Sequence, residues 1–183
     1  PSIIFLKGHN ENALPGVINL ANLLNQDFNF NATWFEQTLK ILTLTLYAYM
    51  QESSNEIKFA FTNFASLSLL KKQSYHSNKN IENLTAISLF TLSSVYGFGL
   101  KLKGSGTSSE FDLKDYFENL TRIGKRKSTP DLGLKASAIK HFESLACEAK
   151  NARFNIKFSL SFEASDETSF ILDAHSLGLE NYH

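Results

Sequence analysis

Residues Thr33 to Met50 read TWFEQTLKILTLTLYAYM, and this apolar stretch is expected to be the element around which the rest of the chain packs. Thr33 followed by Glu36 has the spacing of a capping box: the hydroxyl accepts an orphan backbone N–H, and the glutamate reaches back to the cap. That places the first helical turn at Trp34. Phe35, Leu39, Leu42, Leu46 and Tyr49 then form one stripe. Trp34, Ile41, Leu44, Tyr47, Ala48 and Met50 make the other faces mostly apolar too, and a helix apolar nearly all round is normally buried. Leu42, Leu44 and Leu46 also alternate with Thr43 and Thr45, which is the pattern of a strand. Length and the cap favour helix for 41–50, with strand as the competing reading. Glu36, Gln37 and Lys40 leave far fewer than the roughly 20 apolar residues of a membrane span.

Before this stretch, Ser2 to Leu6 reads as a short strand. Leu14, Val17, Ile18, Ala21 and Leu24 recur at helical spacing and predict a helix from Ala13 to Gln26, with Pro15 in its first turn. The loop Asp27 to Asn31 carries Phe28 and Phe30, which are candidates both for pinning the loop to the core and for an interface.

Beyond it, Ile57, Phe59 and Phe61 alternate with Lys58, Ala60 and Thr62, so Glu56 to Thr62 is a strand. Asn63 caps a short helix through Leu70. Helical spacing resumes at Ile81 and is expected to break at Gly97 and Gly99, with a brief strand at Leu100 and Leu102. Ser109 and Asp112 repeat the capping signature before Leu113, Tyr116, Phe117 and Leu120, a helix that stops at Gly124. Thr129-Pro130 opens a helix that carries Ile139, Phe142, Leu145, Ala146 and Ala149. Phe154 to Phe162 alternates cleanly, and with Ser169 to Ala174 it predicts a C-terminal hairpin.

The sum is an α+β fold: a helix-rich single domain over 1–183 with a small, mainly antiparallel sheet. A flexible loop at about 103–109 is placed to separate two lobes. At 183 residues the chain is long enough for a real core.

Lys plus Arg equals Asp plus Glu at 18 each. That balance removes whole-molecule attraction to nucleic acid or membrane and favours self-association. Charged residues are 20% and aromatics 13%, and the charge is thinnest before Lys71. A charge-depleted, aromatic-rich surface has the composition of an interface core. The single cysteine, Cys147, cannot form an internal disulfide and points to a reducing, intracellular setting. Ile3 to Leu6 is too short for a signal-peptide core, and a first residue Pro1 suggests a processed start. Three glycosylation-type triplets, at Asn31, Asn83 and Asn119, are of the kind that an Asn- and Thr-rich chain produces by chance.

No catalytic constellation stands out, so the expectation is a non-enzyme with no cofactor and no metal. His141 and Cys147 share a helix but not a face. His141 and Glu148 share a face but lack a third ligand. Gly104, Ser105 and Gly106 open the loop GSGTSS, whose free N–H groups before a helix suit a phosphate. The loop lacks the Gly-Lys-Ser/Thr of a P-loop.

Arg122, Lys125, Arg126 and Lys127 form the compact basic cluster, with Lys101, Lys103, Lys135 and Lys140 in the same region. The leading expectation is a self-associating or partner-binding module, a homo-oligomer or the binder of a protein partner. The alternative is a nucleic-acid-binding assembly protein of nucleocapsid or coat (capsid) type, using the 122–127 cluster on RNA or another nucleic acid.

Overall fold

The structure, a computed structural model, describes residues 3–5, 13–49, 56–74, 76–102, 113–126, 133–149 and 156–162. Strands β1 (Ile3–Phe5) and β2 (Ala13–Asn19) lead through a 3-10 turn (Leu20–Leu23) to helix α1 (Ala32–Tyr49) and strand β3 (Glu56–Thr62). Helices α2 (Phe64–Leu70), α3 (Asn78–Lys101), α4 (Leu113–Gly124) and α5 (Lys135–Ala149) follow, and then strand β4 (Lys157–Ser161).

The chain is helix-rich with a small sheet, as its composition and spacing suggest. The direction of the sheet is a correction. Strand order is β1-β2-β3-β4; β2, β3 and β4 run parallel, and only β1 is antiparallel, on the outer edge of β2. Alternation identifies a strand but carries no direction. Parallel neighbours need a crossover of a dozen or more residues. The eighteen-residue α1 supplies it between β2 and β3, and α2 to α5 supply the return to β4. No C-terminal hairpin is seen: its first arm is β4, bonded in parallel to β3, and residues 169–174 lie outside the described residues.

The helix expected from Ala13 is a second correction. Ala13–Asn19 is a strand paired over its whole length with Glu56–Thr62. Val17 and Ile18 are stiff, β-branched residues that suit a pleat. Pro15, which cannot donate to a ladder, lies just beyond the pairing with β1, which ends at Gly16.

One face of the sheet carries Ile18, Ile57, Phe59, Phe61 and Phe158, all buried. Onto it α1 lays Phe35, Leu39, Leu42 and Leu46, each no more than 1% exposed. Leu42 rests on Gly16 so closely that a Cβ there would lie 2.7 Å from Leu42 Cδ1. Thr43 and Thr45 donate their hydroxyls to the carbonyls of Leu39 and Ile41, one turn back. Thr43 and Thr45 therefore fit a helix without unpaired hydroxyls, and 41–49 is helix, with Met50 outside the described residues. The cap is Asn31 rather than Thr33: its Oδ1 accepts from Trp34 N at 2.9 Å, so the helix begins one residue before the expected cap.

The central element is α3, not α1. Ala86, Ile87, Leu89, Phe90, Val95 and Tyr96 are all buried, and the helix touches α1, α4, α5 and β4. It runs through Gly97 and Gly99 without a break, and Leu100 is helical rather than in a strand. A helical glycine costs about 1 kcal/mol against alanine, and burial along the rest of α3 outweighs two such costs. By length and composition α3 is apolar enough to cross a membrane, and 61% of its most apolar window is buried against the other elements. Buried residues before the 103–109 stretch, such as Tyr96, and after it, such as Phe117 and Phe142, share one hydrophobic core.

Candidate association surface

The outward face of α1 is where the structure departs most from a helix buried all round. Its exposed positions are Thr33, Trp34, Gln37, Lys40, Ile41, Leu44 and Ala48. Trp34 and Ile41 are each 58% exposed and Leu44 is 41% exposed. The face is fixed by the packing beneath it, because Leu42 on Gly16 and Phe35 against Phe61 and Phe90 allow one rotation of the helix about its axis.

The one charge among these exposed positions is Lys40, and its ammonium lies 5.9 Å from the Phe98 ring centroid. That cation–π contact draws it toward α3. Trp34, Gln37, Ile41, Leu44 and Ala48 remain as an uncharged ridge.

Past the N-terminal end of α1, the loop 25–31 presents Phe28. Asn25 Oδ1 accepts from the backbone N–H groups of Asp27 and Asn29, and Asn25 N–H donates to Asn29 O, so the loop is closed by its own hydrogen bonds. Phe28 sits at φ +57 and is 52% exposed. A bulky residue in the left-handed region is an outlier, and it persists only where the surroundings over-determine it. Lys71 Nζ adds a hydrogen bond to the Phe28 carbonyl at 3.3 Å. Leu69 and Leu70, exposed at the end of α2, adjoin that lysine.

The two expected interface aromatics therefore divide. Phe28 faces outward, whereas Phe30 packs edge-on against Phe35 at 5.4 Å and holds the loop to the core. Trp34, Ile41 and Leu44 were not singled out by sequence reasoning. Their signal was the apolar outer face of α1, which spacing alone assigns to burial.

The basic cluster is smaller in space than in sequence. Arg122 donates to Asn119 Oδ1 at 2.7 Å, and Lys125 Nζ lies 2.6 Å from Glu143 Oε1, with both partners more than half exposed. Arg126 is exposed at the exit of α4. Lys135 leaves the cluster altogether: it is 7% exposed, and its Nζ meets Glu82 Oε2 of α3 at 2.8 Å. Lys127 and the phosphate-loop candidates Gly104, Ser105 and Gly106 lie outside the described residues.

His141 and Cys147 are both exposed on α5, so Cys147 is a surface residue and not, as its size suggests, an edge of the core. Among the described residues no three His, Cys, Asp or Glu side chains gather as a metal site.

Among the described residues, the titratable groups that the fold perturbs are a tyrosine pair, Tyr96 of α3 and Tyr116 of α4. Burial, and then the nearby Tyr116 phenol, hold Tyr96 well above the usual tyrosine range; a backbone hydrogen bond from Phe158 acts in the opposite sense. Burial raises Tyr116 as well, offset by the hydrogen bond it accepts from Tyr96. Phe117 and Phe158 pack edge-on against Tyr96 at 5.2 and 4.9 Å. With its hydroxyl bonded and its ring enclosed, Tyr96 has the character of a core residue.

The chain matches no protein-family model and no curated protein sequence.

Proposed function

We propose that this chain is a non-enzymatic association module that binds its own kind or a protein partner through the outer face of α1. The observation that supports this most is the uncharged ridge Trp34, Gln37, Ile41, Leu44 and Ala48. Large apolar side chains stand in solvent there, while the lysine among them is held aside on Phe98. A contiguous exposed apolar patch on an otherwise polar surface marks a contact site, and aromatics with few charges are the composition of an interface core. Phe28, rigidly presented at a strained backbone position, extends the surface.

Nucleic-acid binding through Arg122, Lys125 and Arg126 is the weaker reading. Glu143 and Asn119 already engage two of the three side chains, and Lys135 is buried with Glu82.

The test is the absolute mass of the wild type and of Leu44→Glu by light scattering, alone and with candidate partners. Leu44 is partly exposed, so the variant is expected to stay folded and to lose association. A variant that associates as the wild type does would place the contacts elsewhere.

A further inference from the structure

We draw no further inference here: the strongest candidate, the exposed apolar face of α1 formed by Trp34, Ile41 and Leu44, belongs to the surface already described, and nothing in the structure shows what covers it.

Discussion

Leu42 of α1 sits directly on Gly16 of β2, with its Cδ1 2.7 Å from where a Cβ would stand. Leu42 is fully buried, so it has nowhere to retreat. This contact sets how α1 is rotated on the sheet, and hence which of its residues reach solvent. Gly16→Ala is expected to destabilise the fold by about 1–3 kcal/mol, the range for overpacking a filled core. Denaturant midpoints at unchanged slope would show it; an unaltered midpoint would mean that α1 is not seated on Gly16.

Lys135 and Glu82 join the start of α5 to α3 across 53 residues of sequence. Their side chains are 9% and 22% exposed. Removing one partner leaves a poorly solvated charge, which costs 3–5 kcal/mol when the pair is fully buried. For this partly wetted pair, Lys135→Met is expected to cost about 1–3 kcal/mol, and Lys135→Met with Glu82→Leu to recover most of the loss. A double-mutant cycle measures it, and additive losses would show the two groups to be uncoupled.

Tyr96 links pH to stability. Its folded pKa lies above its unfolded value, so the native state holds its proton where the unfolded chain has released it. The contribution is complete below the ordinary tyrosine pKa of about 10 and is lost as the pH rises through and above it. Unfolding free energy is therefore expected to fall on the alkaline side, and less steeply in Tyr96→Phe. Phenolate absorbance is the check: native protein in which all six tyrosines titrate together near the ordinary value would contradict the assignment.

Phe28 should trade stability against association. Its left-handed backbone costs roughly 1–2 kcal/mol for a residue with a side chain, and glycine adopts that conformation freely. Phe28→Gly is expected to leave the thermal midpoint equal or higher while weakening self-association. A lower midpoint with association intact would reverse the role given to the ring.

Much of this was legible where one pattern had one meaning. Ile57, Phe59 and Phe61 alternate and are buried on one face of β3, and α4 stops at Gly124, as its spacing indicates. Leu14, Val17 and Ile18 satisfy a helical period as well as a strand, and their strand is decided by β3, more than 40 residues away. The direction of pairing is likewise set by the crossovers, not by alternation. Lys135 looks like part of a basic run until Glu82 comes to meet it.

The candidate surface was half visible in the same way. The apolar outer residues of α1 are plain in the sequence, but burial and docking ask for the same side chains. Only the position of α1 on one side of the sheet, with α3 taking the centre, leaves Trp34, Ile41 and Leu44 in solvent.

Trp34 is the sole tryptophan of the chain and lies on that face, 58% exposed. Its fluorescence therefore reports on the surface directly. The measurement is Trp34 emission and quenching by a neutral solute along a dilution series, with the mass recorded on the same samples. The expected result is emission that moves to the red and quenches more readily as the mass falls to that of the monomer. A falling mass with Trp34 solvated throughout, or no association at any concentration or with any partner, would contradict the assignment of α1 as the contact surface.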